Sequence, residues 1–253
     1  MRLVPSFVAT LAVALFSTTA SAAGDTVLVA GATGATGKQV VKTLVQQGYA
    51  VRALVRDPAK VSDLGEGVTI VQGDVTKPET LAPAAKGAKY VISAVGAKGK
   101  EAPNNQESVD YQGVVNLVDA AKAAGVEQFV LMSSIGAGNE DPDLPLNKMF
   151  GMVLKWKGKS EVHVRQAGVP YTIVRTGGLQ VCEPGKKGLK LAPGDLDIRG
   201  MICRSDVARV MVDALGRPEA IGKTVVLIND AEGTSPDAWK SVWAELPKDE
   251  ATR

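Results

Sequence analysis

Histidine is almost missing from this chain: 253 residues hold a single one, His163. A serine–histidine–carboxylate relay would have to use it, and no nucleophile-elbow motif accompanies it. A histidine-built metal site lacks ligands for the same reason, so no metal is expected. Cysteine is scarce too. Cys182 and Cys203 are too few for a disulfide framework and show no metal-ligand spacing. They read as two separate thiols, although export would permit a disulfide. Lysine and arginine exceed aspartate and glutamate by 29 − 27 = 2, and no long run of one charge occurs. That leaves no basic field for nucleic acid, and the expected partner is a small-molecule substrate. There is no internal repeat and no compositional break that would mark a second domain.

What is present starts with a leader. Arg2 gives a minimal positive start, Leu3 to Phe16 are largely apolar, and Ala20-Ser21-Ala22 suits a small-residue cleavage site. Residues 1–22 therefore read as a signal peptide for export into a periplasm or secretory route, with a plastid reached through that route left open. The apolar stretch is short for a span of about 20 residues, so no membrane contact is expected after cleavage; an uncleaved anchor is the alternative. Residues 23–253 then form one domain, and 45% hydrophobic residues suffice for a substantial core.

The domain opens on Thr26-Val27-Leu28-Val29-Ala30-Gly31-Ala32-Thr33-Gly34-Ala35-Thr36-Gly37-Lys38. An apolar strand runs into a glycine-rich turn and then into an amphipathic stretch bearing Val40, Val41, Leu44 and Val45. That is the arrangement that holds a dinucleotide pyrophosphate. Gly31 allows a tight turn, Gly34 permits close approach of a phosphate, and Gly37 lets the helix pack tightly on the strand. The helix start offers unpaired N–H groups to the anion, and the hydroxyls of Thr33 and Thr36 stand within reach of it.

Strand-like segments follow at Ala50–Arg56, Val68–Gln72, Tyr90–Ala94, Gln128–Ser133 and Tyr171–Arg175. Helix-like segments lie near Lys38–Gln47, Pro78–Ala85, Ser108–Ala123 and Met149–Gln166. Short apolar strands alternating with amphipathic helices predict an α/β fold, a doubly wound parallel sheet of the Rossmann type, with ligand at the carboxyl ends of the strands. The last third predicts a small substrate-side lobe on the same sheet. There Pro184 to Gly194 reads as a loop, Ile198–Ile202 and Thr224–Ile228 as strands, and Ser205 as the cap of a helix to Leu215. Ser235-Pro236 would start a terminal helix ending near Leu246.

At the end of the second strand Arg56 offers a planar guanidinium to a 2′-phosphate, with Lys60 in support, which favours NADP(H). Asp57, one residue on, keeps NAD(H) open. Asp74 can accept from an adenine amino group and Val75 can cover the ring. Ala94, Val95 and Gly96 are small enough to let the cofactor pass closely.

The ordered set GATGATGK, VRDPAK, GDV, DYQGVVNLVDAAKAAGVEQFVLMSSIGA, PYTIVRTGGL and RSDVA resembles the atypical short-chain dehydrogenase/reductase family, in its NmrA-like NAD(P)-binding group. The resemblance runs from about Asp25 to Leu215. It implies a Rossmann fold and usually NADP(H). Gly31, Thr33, Gly34, Ala35, Thr36 and Gly37 then match the pyrophosphate loop, and Arg56 the 2′-phosphate reader. Asp74 and Val75 match the adenine contacts, and Ala94 to Gly96 the ribose side. Ser133 and Ser134 match the serine position after the fifth strand. Lys157, four residues before Glu161, matches the active-site lysine, with Lys159 as rival. Thr176-Gly177-Gly178-Leu179 matches the segment beside the nicotinamide. One departure matters: the family's YxxxK tyrosine falls at Val153, which can neither give nor take a proton. Tyr111 and His163 are the other protic side chains considered, the first expected to pack within its helix and the second to lie on a helix face. The resemblance thus implies an oxidoreductase that moves hydride to a small acceptor without the usual tyrosine, with Lys157 and Ser133 in its site. The alternative is an NADP(H)-responsive scaffold or assembly factor without turnover, and an epimerase with tightly held NAD ranks below both.

Overall fold

The computed structural model describes residues 24–250, except 62, 63, 102, 184, 197 and 231–236. The leader at 1–22 lies outside the described residues, as does the Ser235-Pro236 start of the terminal helix.

The first half alternates strands and helices as the hydrophobic pattern predicts. β1 (Thr26–Ala30) leads into α1 (Ala35–Gln46), then β2 (Ala50–Val55) and β3 (Val68–Gln72). A short α2 (Leu81–Ala85) precedes β4 (Tyr90–Ser93). α3 (Gly113–Ala123) then leads into β5 (Gln128–Ser134). After α4 (Pro145–Met149) and α5 (Val153–Gln166), β6 (Tyr171–Thr176) closes the parallel series. Next come β7 (Gly178–Gln180), β8 (Gly188–Pro193), β9 (Met201–Cys203), α6 (Arg204–Asp213), β10 (Lys223–Asp230) and α7 (Trp239–Glu245).

Among the described residues the main sheet has eight strands in the order β3-β2-β1-β4-β5-β6-β10-β8, parallel except for β8. The first six follow the doubly wound order with its reversal between β1 and β4, where such sheets take ligands. Alternate residues of β1 feed two cores, one on each face. Val27 and Val29 pack with Val40, Leu44, Val207 and Met211 from α1 and α6. Leu28 and Ala30 pack with Leu117, Val118 and Val164 from α3 and α5. A strand buried on both faces needs apolar side chains at every position, which is why its sequence shows no alternation.

Four expectations are corrected. The helix expected over Met149–Gln166 starts only at Val153, because Gly151 (φ 60°) and Met152 (φ 61°) turn the backbone left-handed and separate it from the short α4. The loop expected at Pro184 to Gly194 contains β8. Its Leu189 and Leu191 are buried while Lys190 points to solvent, the pattern of an edge strand. Ser205 does not cap α6: the helix starts one residue earlier, with Cys203 at the cap position, and the Ser205 hydroxyl has no hydrogen-bond partner. Finally, Cys182 and Cys203 are not separate thiols but form a disulfide, with Cα atoms 5.6 Å apart. The register Gln180↔Cys203 of the small β7–β9 sheet brings them together. That pairing joins segments 21 residues apart, so no local spacing announces it.

Candidate functional site

A cleft of about 280 Å³ opens at the carboxyl ends of β1, β2, β3 and β4. Gly31, Thr33 and Gly34 form one side. Arg56, Asp74 and Val75 come from the β2 and β3 exits, and Ala94, Val95 and Gly96 from the β4 exit. Nine of the residues expected to hold the cofactor thus converge from four separate segments.

The glycine turn has the shape required. Gly31 is left-handed at φ 81°, and a Cβ there would meet the Ala94 carbonyl oxygen at 2.5 Å. Gly34 caps α1 without any side-chain bond, and no acidic residue occupies the first turn. The amides of Ala35, Thr36 and Gly37 therefore face the helix start with no intrahelical partner. A Cβ on Gly34 would find only the Gly31 carbonyl oxygen, at 3.2 Å, which leaves a cradle open above those amides. Anionic phosphate fits such a turn by hydrogen bonding and by the helix dipole. At Gly37 the crowding is with the turn itself, at Gly31 and Ala32, rather than with the strand. The Thr36 side chain is buried, and its hydroxyl accepts a hydrogen bond from Arg204 Nη1 at 3.0 Å.

On the adenine side, Arg56 is exposed and its Nη1 donates to Asn104 Oδ1 at 2.6 Å. Asn104 also lines the cleft. Asp57 is engaged in its own turn, accepting from the Ala59 amide and pairing with Lys60 at 3.0 Å. Asp74 Oδ1 accepts from the amide and hydroxyl of Thr76, which fixes the carboxylate at the cleft wall. Val75 is buried against Gly113, where a Cβ would come within 2.7 Å of its Cγ2.

The two residues expected to be catalytic are placed differently. Lys157 is largely buried and its Nζ pairs with Asp110 Oδ1 at 2.9 Å. Asp110 Oδ2 in turn accepts from the Ala97 amide at 3.0 Å, and Oδ1 lies 3.8 Å from where a Gly96 Cβ would be. The pair therefore stands behind the β4 exit, against Gly96 and Ala97 of the cleft wall, and is not itself among the lining residues. Sequence reasoning missed Asp110. It lies in a π-helical turn over Glu107–Gln112 leading into α3, a backbone irregularity that is frequent at functional sites. Its sequence neighbours Glu107, Ser108, Tyr111 and Gln112 are themselves polar, so nothing local singled it out. Ser133, by contrast, is turned away from the cleft. It is buried and donates to Glu161 Oε1 at 2.6 Å. Glu161, fully buried, also receives Arg175 through Nε and Nη2 and Arg165 through Nη2. That network joins β5, α5 and β6, and it explains why a glutamate follows Lys157 by one helical turn. Ser134 is half-buried and donates to the neighbouring Ile135 carbonyl.

Val153 is the first residue of α5, directly after left-handed Met152. Tyr111 stacks on Trp156 with centroids 5.9 Å apart, and Lys159 lies over the same indole at 4.9 Å, so the rival lysine sits on a surface ring. His163 pairs with Asp119 at 2.8 Å.

The doubly wound sheet and the phosphate turn at its reversal define a dinucleotide-binding protein. Residues 31–218 match the sequence profile of a family described as NAD(P)H-binding, and the chain belongs to that family. It is 39% identical over 231 residues to a chloroplastic protein of Arabidopsis thaliana, covering 87% of this chain and 82% of that one. It is 34% identical to sanguinarine reductase of Eschscholzia californica, covering 82% and 90%. It is also 34% identical to the chloroplastic protein TIC 62 of Pisum sativum, covering 83% of this chain but only 43% of that protein. Among solved structures, the oxidoreductase ylbE of Lactococcus lactis superposes with a TM-score of 0.75 at 24% identity, covering 87% and 97%. That likeness establishes the fold.

Proposed function

We propose that this protein is an NADP(H)-dependent oxidoreductase that passes hydride to a small-molecule acceptor. The observation that carries this is the convergence of four loops on one cleft, with the uncapped first turn of α1 at its centre. The bound dinucleotide supplies the hydride. The chain's own residues do the holding: the α1 amides take the pyrophosphate, Asp74 and Val75 the adenine, and Lys157 the nicotinamide ribose, steadied by Asp110. Arg56 would read the 2′-phosphate, and it lines the cleft while Asp57 is not among the lining residues. The similarity to sanguinarine reductase supports reductase chemistry. The chloroplastic relatives support a leader that feeds a compartment holding the coenzyme.

A second reading is favoured by one observation. Val153 stands where the proton-moving tyrosine would be, and a relative, TIC 62, is not named as an enzyme. On that reading the chain binds NADP(H) and responds to it without turnover.

Titration of the purified protein with NADPH and NADH tests the shared core of both readings. NADPH should bind more tightly, and Arg56→Gln should remove about 1.5–3 kcal/mol of that preference, about tenfold to a hundredfold, as for a charge-assisted bond. An unchanged preference in the variant would refute the assignment of Arg56. NADPH oxidation with a panel of quinones and carbonyls then separates the readings, since the scaffold predicts none.

A further inference from the structure

We propose that Arg204 is a further anion-binding residue beside the first turn of α1, a guanidinium that α6 delivers to the diphosphate of the dinucleotide from the far end of the chain. The inference rests on the dinucleotide reading and adds to it a residue outside the glycine turn.

Its position is the first argument. Arg204 Nη1 donates to Thr36 Oγ1 at 3.0 Å across a sequence separation of 168 residues. Thr36 belongs to the first turn of α1, whose free amides form the phosphate cradle. Its hydroxyl, having accepted from the arginine, keeps its own proton to donate onward.

Charge is the second. Most half-buried arginines of this protein sit against carboxylates, Arg165 and Arg175 on Glu161, Arg209 on Asp206 and Arg217 on Asp213, while Arg52 donates to the Lys86 carbonyl. Among the described residues no carboxylate pairs with Arg204, and the first turn of α1 contains no acidic residue. A half-buried cation without an anion is costly to hold. One of its five N–H donors is used, and the remaining fork suits bidentate binding of a phosphate.

Its support is the third. Arg204 is the first residue of α6, and the residue before it is fixed twice. Cys203 is cross-linked to Cys182, and its amide donates to Asn229 Oδ1 at 2.8 Å. α6 then packs along α1, with Val207 and Met211 in the same core as Val40 and Leu44. The guanidinium is thus presented by rigid elements, as a preorganised ligand contact should be.

Calorimetric titration of the full chain with NADPH, NADH and adenosine 2′-monophosphate tests this. Arg204→Gln should weaken NADPH and NADH alike, by about tenfold or more, and leave adenosine 2′-monophosphate, which lacks the diphosphate, within twofold. Arg204→Lys, which keeps the charge and guards against a misfolded glutamine variant, should recover part of the loss. Arg56→Gln should give the complementary pattern, weakening NADPH and the 2′-monophosphate but not NADH. Wild-type affinity for both dinucleotides in Arg204→Gln would overturn the proposal while the dinucleotide reading stands. Equal loss for all three ligands with a lowered melting temperature in the apo protein would overturn it too, as the mark of a packing residue. If the wild type bound neither dinucleotide, both the proposal and the reading beneath it would fall.

Discussion

The glycines of the phosphate turn separate a folding role from a binding role, and Gly34→Ala tests that separation. Gly34 has φ −76° and ψ 162°, extended backbone open to any residue. Its added Cβ would touch only the Gly31 carbonyl oxygen at 3.2 Å. The contact is tight but lies at the edge of an open cleft, and alanine also restricts the unfolded chain, which returns about 0.4–1 kcal/mol. Stability should therefore change by less than about 1 kcal/mol. Binding should not escape so lightly. A methyl group over the first-turn amides keeps a phosphate from at least two of them, and charge-assisted bonds at about 1.5 kcal/mol each give a loss of about 3 kcal/mol, on the order of a hundredfold in affinity. Gly31→Ala is the contrast. It would force alanine into φ 81°, costing about 1–2 kcal/mol, and drive its Cβ to 2.5–2.9 Å from the Ala94 and Val95 backbone. Peptide atoms cannot rotate away, so overpacking adds about 1–3 kcal/mol, and this variant should be the one that loses stability. Urea denaturation and NADPH fluorescence titration on both variants read the two quantities. Wild-type NADPH affinity in Gly34→Ala, or a stability loss there equal to that of Gly31→Ala, would refute the reasoning.

Two further outcomes concern stability. Replacing Cys182 and Cys203 together by serine removes a cross-link across 21 residues, worth about 3 kcal/mol by loop closure; the unfolding free energy from urea denaturation should drop by that much, and a reducing agent should bring the wild type down to the variant. Burial, with Asp249 as the next cause, pushes the Tyr171 phenol above its ordinary value of 10. The unfolded chain therefore loses this proton first, and stability falls as pH rises above about 10. Tyr171→Phe should lose the bond to Asp249 at neutral pH yet show a shallower alkaline decline. A residual slope is expected because Tyr90 and Lys89 are raised as well. An identical decline in the two proteins would exclude Tyr171 as a contributor.

The convergence of residues on the cleft was legible because its instructions are local. Gly31 and Gly34 follow an apolar strand within a few residues, and Arg56, Asp74 and Ala94 each sit at a strand end, so finding the strands finds the residues. What stayed hidden depends on contacts between distant segments. Asp110 becomes a partner of Lys157 only when α3 and α5 lie on the same face of the sheet. Arg204 reaches Thr36 only through the packing of α6 on α1, and the disulfide only through the β7–β9 register. Ser133 failed for a subtler reason. It stands at the strand end as expected, but Glu161 on α5, itself held by Arg175 on β6, takes its hydroxyl, and no one-dimensional pattern shows which neighbour a serine will face. The irregular last third resisted for want of periodicity: β8 is an edge strand whose exposed Lys190 interrupts the apolar run.

The missing tyrosine and the retained lysine carry different weights. Removing a pair of buried charges in favour of apolar groups is often neutral or stabilising, so the ion pair of Lys157 with Asp110, at 2.9 Å, has weak grounds in folding alone. It also bridges the Ala97 amide at the β4 exit to α5, fixing the ammonium relative to a loop that lines the cleft. Val153 lies one turn away on the same helix, so the position that the family resemblance assigns to a tyrosine is helical and carries an apolar side chain. On the oxidoreductase reading proposed above, such a site would keep its hold on the coenzyme without depending on an internal acid. Among acceptors it therefore favours those whose reduced form takes a proton from water after hydride arrives, such as electron-poor conjugated rings, over simple ketones, whose alkoxide needs a proton during the transfer itself. Within one acceptor panel, rates should rank by electron affinity of the acceptor, and restoring the acid with Val153→Tyr should raise the ketone rates first.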